Sequence, residues 1–285
     1  MIGNVGLLIG QYNENETLDK ARTHIEELGL SCFTSSHILS SSEDGRSLLK
    51  EHTFVFTDDR TVADLAASLG IGFAVYLNDK SRSASFPEAL YSVDEISSLP
   101  LLQIDRMLLR HLKLPWQILE TKRCIIREIM VDDVDTLYNI YGEDPAAFQY
   151  AGELYEDPEE EKQYTKDYID HQYRFCEYGI WIVTDKATGK IIGRAGLDRR
   201  EGYEYAELGF VFAISYRHKG YAYEVCSAII SYAKEQLGMS ALNAFTIRQN
   251  HDSVRLLKRL GFHFEDTAVL FGKEHDRYFI ELSHR

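Results

Sequence analysis

Cysteine, proline and basic residues are scarce in this chain, and each scarcity removes a class of protein. The four cysteines, Cys32, Cys124, Cys176 and Cys226, are scattered through 285 residues without a C-x-x-C pair. That spacing gives neither a disulfide framework nor a thiolate zinc site and reads as four reduced core thiols. With only five prolines there is no proline-rich linker, and no internal repeat or low-complexity run divides the chain. No apolar run approaches a membrane span, and the start lacks the basic stretch and small-residue cleavage pattern of a secretory signal. The expectation is a cytoplasmic protein without a membrane partner. Lysine and arginine number 31 against 45 acids, a net charge of −14, so the broad basic surface that nucleic acid requires is missing. Neither G-x-x-x-x-G-K-[ST] nor G-x-G-x-x-G occurs, which argues against a nucleoside triphosphatase and a dinucleotide fingerprint.

What is present is a basic, glycine-containing loop, Arg217-His218-Lys219-Gly220-Tyr221-Ala222, between an apolar run from Ala206 to Ile214 and a helical pattern from Tyr223 to Leu237. Successive N–H groups of a tight loop and of a helix's first turn have no intrahelical acceptor, and with the helix dipole they favour an anion. Gly220 lets the main chain approach a phosphate, and Arg217 and Lys219 add charge. The loop suits a pyrophosphate.

A second strand pattern, Ala241 to Arg248, leads into Asn250-His251-Asp252-Ser253-Val254 and on to Gly261-Phe262. Asn250 suits a helix cap, Val254, Leu257 and Leu260 an apolar face, and Gly261 a stop. Strand, Arg-x-x-Gly-x-Ala loop, helix, strand, Asn-x-x-Ser helix and Gly-Phe, in that order, resemble the GNAT acetyltransferases, in particular their RimJ/RimL-like branch acting on ribosomal-protein N-termini. The resemblance runs from about Ile118 to the end. Upstream, a strand from Cys124 to Arg127, a helix from Asp132 to Tyr141, and an antiparallel pair, Gly179 to Thr184 and Ile191 to Leu197, fit the same order, with Tyr278 to Leu282 as the last strand.

The resemblance implies acetyl transfer from acetyl-CoA to an amine. The strand around Leu208 to Ala213 would splay from its neighbour so that pantetheine pairs with its edge. The pyrophosphate would lie on Arg217 to Ala222, Asn250 would contact the pantetheine arm, and a main-chain N–H near Val211 or Phe212 would stabilise the oxyanion. Glu207, beside the expected thioester, is the first candidate for general base, against a plain solvated strand glutamate. His218 lies inside the loop and reads as solvent-facing. Many family members place a tyrosine in the last helix to protonate the thiolate. Here that position is Leu257, and Ser253 stands as alternative donor or as part of a helix cap. Ile214-Ser215 occupies the place where proline is common.

The acid-rich stretch Glu153-Leu154-Tyr155-Glu156-Asp157-Pro158-Glu159-Glu160-Glu161 has two readings. It falls where the family walls its acceptor pocket, so its carboxylates could attract a cationic amine. It is equally a helix start, with Pro at the first position and acids facing the dipole.

Residues 1–115 read as a small parallel α/β domain of Rossmann-like type, and residues 116–285 as the GNAT-type mixed α/β domain with a splayed central sheet. In the first, strands at Gly6 to Ile9, Thr53 to Thr57 and Gly72 to Leu77 alternate with helices at Leu18 to Leu28 and Thr61 to Leu69. Strand, Asp58-Asp59, helix and strand resemble the later half of haloacid-dehalogenase-like phosphohydrolases. That family's nucleophilic Asp-x-Asp is absent, because Ile9 leads into Gly10-Gln11-Tyr12-Asn13-Glu14, so the acidic pair reads as turn and helix cap. Ligand binding, dimerisation of the chain or a relic without a role remain open for this domain. A helix from Leu101 to Lys113, ended by Pro115 and anchored by Trp116, joins the two. Against the enzyme stands one alternative, a non-catalytic acyl-CoA sensor with the first domain as output.

Overall fold

The computed structural model describes residues 1–10, 15–34, 50–143, 154–176, 178–270 and 272–282. Gln11 to Glu14, where the Asp-x-Asp comparison falls, and Glu153 of the acid-rich stretch lie outside the described residues. The chain forms two compact units, Met1–Trp116 and Gln117–Arg285.

The first unit is a five-stranded, wholly parallel sheet in the order β2-β1-β3-β4-β5. Its elements are β1 (Asn4–Leu8), α1 (Asn15–Glu27), β2 (Ser31–Phe33), β3 (Thr53–Thr57), α2 (Arg60–Leu69), β4 (Gly72–Tyr76), β5 (Tyr91–Val93) and α3 (Leu101–His111). The central strands β3 and β4 are buried on both faces, as continuous apolar runs in a parallel sheet should be. One face packs Ala21 and Ile25 of α1 with Ile104, Met107 and Leu108 of α3, and the other packs Ala63 and Ala66 of α2.

The acidic pair divides its labour. Asp59 caps α2, accepting from Thr61 N and Val62 N. Asp58, 1% exposed, is no cap. Its carboxylate accepts from Gly10 N at 2.7 Å and Asn78 Nδ2 at 2.8 Å, tying together the ends of β1, β3 and β4. Among the described residues no group of three or more His, Cys, Asp or Glu is placed to hold a metal. Helix α3 ends before Pro115: Lys113 turns left-handed (φ 55) and Leu114 N donates to Leu109 O at 2.9 Å. Trp116 folds back on the same helix, donating from Nε1 to Arg106 O, with the Arg110 guanidinium 4.1 Å above its ring.

The second unit is an eight-stranded sheet, β12-β13-β11-β10-β9-β8-β7-β6, antiparallel at every pairing except β10 with β11. In chain order it comprises β6 (Gln117–Glu120), β7 (Cys124–Glu128), α4 (Val134–Gly142), α5 (Pro158–Phe175), β8 (Ile180–Asp185), β9 (Ile191–Asp198), β10 (Glu207–Phe212), α6 (Tyr221–Glu235), β11 (Ala241–Thr246), α7 (His251–Arg259), β12 (His263–Leu270) and β13 (Lys273–Glu281). A 3-10 turn, Val131–Asp133, replaces the expected start of α4. The Asp133 carboxylate accepts from Met130 N and is gripped by both terminal nitrogens of Arg127 at 2.7 Å. The final strand is longer than its apolar core suggested and closes a hairpin with β12.

Only two of the four thiols are core residues. Cys124 and Cys226 are buried, Cys32 and Cys176 half-buried, and all four are free. Burial pushes the Cys124 thiol up to about 11. No helix of the described residues is long and apolar enough to cross a membrane.

Candidate active site

The middle of the second sheet opens. Strand β10 pairs with β9 along its whole length, from Glu207 opposite Asp198 to Phe212 opposite Gly193, but with β11 only at Glu207 opposite Asn243. Asn243 N donates to Ala206 O at 2.8 Å, and its side chain donates to Tyr205 O at 2.9 Å. Beyond that vertex the two parallel strands diverge.

Backbone alternation decides which groups face the gap. Ala206 O is turned to β11, whereas Ala213 N donates to Ile192 O on the β9 side, so even-numbered residues of β10 present their N–H to the gap and odd-numbered ones to β9. Phe210 and Phe212 N–H therefore lie on the open side. Val211 N–H points to β9, which separates it from Phe212 as an oxyanion donor.

The gap leads to the basic loop. After Phe212 the chain makes a 3-10 turn, Ile214–Tyr216, and then takes left-handed conformations at His218 (φ 58) and Gly220 (φ 82). Such reversals turn successive N–H groups to one side. Gly220 starts α6 without a side-chain cap, and the first helical bond runs from Glu224 N to Gly220 O. The N–H groups of Tyr221 to Tyr223 thus carry the unpaired positive end of the helix.

The loop's own cations are engaged. Arg217 Nε donates to Phe212 O at 2.9 Å, and Lys219 Nζ to Ser215 O at 2.7 Å. His218 is exposed, as expected, with Nε2 3.4 Å from the Asp252 carboxylate on α7. Sequence reasoning missed Arg123. Its backbone N and Nε donate to Glu224 at 2.8 and 2.7 Å, its Nη1 donates to Lys219 O, and its guanidinium lies 3.9 Å over the Tyr221 ring. A residue about a hundred positions upstream holds the loop to the first turn of α6.

A cleft of about 1290 Å³ lies along the gap and reaches the loop. Its walls include Glu207, Val211, Phe212, Arg217, His218, Gly220, Tyr221, Ala222, Asn250 and Ser253 of the expected set, and Leu257; Lys219 is not among them. The Asn250 carboxamide oxygen caps α7 by accepting from Ser253 N at 3.2 Å. The cap is therefore Asn250, and Ser253 contributes its N–H. Leu257, 1% exposed, is an apolar wall where a tyrosine is common.

At the vertex end Glu207 is not the solvated strand glutamate that was its alternative reading. It is largely buried and ion-paired with Arg200 at 2.5 Å. Burial raises its carboxyl above the ordinary value, with Arg200 pulling the other way. Asp198, its partner across β9, is raised by burial too. Helix α5 closes this end with Glu161, Tyr164, Thr165 and Tyr168. Asp157 caps α5 through Glu159 N, and Pro158 takes the first turn with Glu159 and Glu160 exposed, as the helix-start reading required. Among the described acids of the stretch, Glu161 alone turns inward, 4% exposed, accepting from Tyr155 N at 3.0 Å.

The acetyltransferase (GNAT) domain family matches residues 123–263, the stretch that holds the splayed parallel pair and the glycine-containing loop. The C-terminal unit is a GNAT acetyltransferase domain. Two proteins of Bacillus subtilis (strain 168) are similar to it. The uncharacterised protein YkkB is 27% identical over 160 residues, covering 54% of this chain and 90% of that protein. The uncharacterised N-acetyltransferase YoaA is 29% identical over 150 residues, covering 52% and 84%. Among solved structures, a Vibrio cholerae protein assigned as a ribosomal-protein-serine acetyltransferase superposes with a TM-score of 0.51 at 21% identity, covering 58% of this chain and 97% of that one. RimL, a ribosomal L7/L12 α-N-protein acetyltransferase in its apo form, gives 0.51 at 15% identity, covering 59% and 96%. At these identities the structures speak for the GNAT fold. With the family match and the N-acetyltransferase relatives, the chain is an acyltransferase.

Proposed function

We propose that the chain moves an acetyl group from acetyl-CoA to a primary amine by direct attack in a ternary complex. The observation that carries this reading is the open side of β10, whose unpaired N–H groups at Phe210 and Phe212 run toward the anion loop. Pantetheine, with two amides, extends the sheet there. The pyrophosphate lies on the N–H groups of His218 to Tyr223, with the Arg217 guanidinium beside it. A thioester carbonyl reaching the Phe210 or Phe212 N–H gains a donor for the developing oxyanion. Glu207, steadied by Arg200, takes a proton through water from the acceptor ammonium so that the neutral amine attacks the thioester, and the Ser253 hydroxyl donates one to the leaving thiolate. Orientation does the rest of the work.

The first unit, a parallel sheet covered by helices on both faces, fits a Rossmann-like reading and serves as an accessory to the transferase.

Calorimetric titration with acetyl-CoA, and separately with its pantetheine fragment, tests the coenzyme reading, and thiol release with a panel of amines tests transfer. Binding that weakens when the pyrophosphate is removed, followed by turnover, is the expected result. No binding would sink the reading. Binding without turnover on any amine would return the acyl-CoA sensor.

A further inference from the structure

The vertex end of the cleft has a polarity of its own. Arg194, Gly196 and Asp198 share one face of β9, and their partners across the ladder, Val211, Gly209 and Glu207, share it too. Two glycines face each other in the middle, so the floor between Arg194 and Asp198 carries no side chain of its own. Gly196 has no room for a side chain, whereas Gly209 has room for a methyl group in ordinary contact. A Cβ at Gly196 would fall 2.1 Å from Gly179 O, and one at Gly209 would reach within 3.6 Å of the Ile180 side chain. At about 3.4 Å per residue, Arg194 and Asp198 stand roughly 14 Å apart along the strand. The result is a short trough with a cation at one end and two carboxylates at the other.

The two ends differ in how their charge is satisfied. Glu207 has Arg200. Arg194 is half-buried, lines the cleft, and has no carboxylate within salt-bridge distance among the described residues. Its guanidinium lies 5.1 Å from the Tyr141 ring, a neutral partner. Glu161 acts on it only from beyond ion-pair range and already accepts from Tyr155 N. No acid meets this guanidinium at contact distance among the described residues, and the planar fork of an arginine matches a carboxylate in bidentate geometry. With Glu161 nearby, one guanidinium favours a singly charged carboxylate over a phosphate.

We infer that the acceptor amine also carries a carboxylate, which Arg194 binds while the amine lies toward Asp198 and Glu207. The acceptor class is then an amino acid or short peptide with a free acid group. This rests on the acetyl-transfer reading and narrows it.

The test compares kcat/KM for amino acids and dipeptides with that for their C-terminal amides, in the full-length protein and in Arg194→Gln and Arg194→Lys. The wild type should prefer each acid over its amide by tenfold or more, chiefly through KM. Arg194→Gln should collapse that ratio toward one, and Arg194→Lys should keep part of it, with thermal unfolding confirming that both fold. Turnover of acids and amides alike would overturn the inference while leaving acetyl transfer standing. If neither kind of amine is turned over, ligand-observed NMR on N-acetylated acids and their amides decides without chemistry. Selective binding of the acids that is lost in Arg194→Gln upholds the subsite, whereas equal or no binding ends it.

Discussion

Asp198 and Glu207 face each other as Cα partners across β9 and β10, two carboxylates on one face of the sheet with a single arginine, Arg200, paired to Glu207.

That pairing governs the pH profile. Burial raises the Glu207 carboxyl above its ordinary value of 4.5, and Arg200 moderates the rise. A base must be ionised to act, so the acidic limb of kcat/KM should lie above that of a free glutamate. Glu207→Gln should lower kcat by about 10²- to 10⁴-fold. Arg200→Gln removes the moderating charge and should move the limb further up. A profile unmoved by Arg200→Gln would take Glu207 out of the reaction. For stability the sign is opposite. A carboxyl whose folded value is raised favours the fold fully below the unfolded value, and that contribution is lost as pH rises through the folded one.

The anion loop separates shape from charge. Gly220 sits at φ 82, where any side chain costs roughly 1–2 kcal/mol, so Gly220→Ala should weaken acetyl-CoA binding modestly. Gly220→Glu should weaken it far more, because it adds a negative charge at the proposed pyrophosphate site. Arg123→Ala, which frees the Lys219 carbonyl and the Tyr221 ring, should lower affinity for acetyl-CoA while leaving affinity for the pantetheine fragment unchanged. Calorimetry on the three variants reads each effect, and equal affinities for Gly220→Ala and Gly220→Glu would rule out a phosphate at the loop.

Strand β9 has a fragile point at Gly193. A Cβ there would fall 2.2 Å from the Val211 carbonyl oxygen, a backbone atom that cannot move without parting β9 from β10. Gly193→Ala should lower stability by at least ~1–3 kcal/mol, the usual penalty of overpacking. Gly142→Ala, with nothing within 4 Å of the added carbon, should stay within about 1 kcal/mol of wild type. Chemical denaturation of the two variants supplies the comparison.

The sequence exposed what is coded locally. Gly220, Asn250 and Gly261 announce their loop and helix by turn and cap chemistry, and the buried parallel strands β3 and β4 announce themselves by apolar runs. Strands β2, β5, β6 and β12 did not. The first two have three residues and the third has four, while β12 is exposed along most of its length, so its alternation never shows. The site divides in the same way. Arg217 to Ala222 sit in one stretch of chain. Arg123 meets them from β7, and Arg194 and Asp198 meet Glu207 only through the register of an antiparallel ladder, which no local pattern encodes. The charge that Arg217 and Lys219 bring to the loop is legible in one dimension, while the carbonyls of Phe212 and Ser215 that they reach are not.

The last strand, β13, is interior to its sheet, inserted between β11 and β12. Since β11 meets β10 at a single residue pair, most of its backbone has only β13 to bond with. On a ribosome this half of the sheet must wait: the vertex of the cleft can be synthesised in full while the strand that secures its far wall is still in the exit tunnel. A chain stopped at residue 272 would retain every residue assigned to the site and still lack the wall that holds β11 in place.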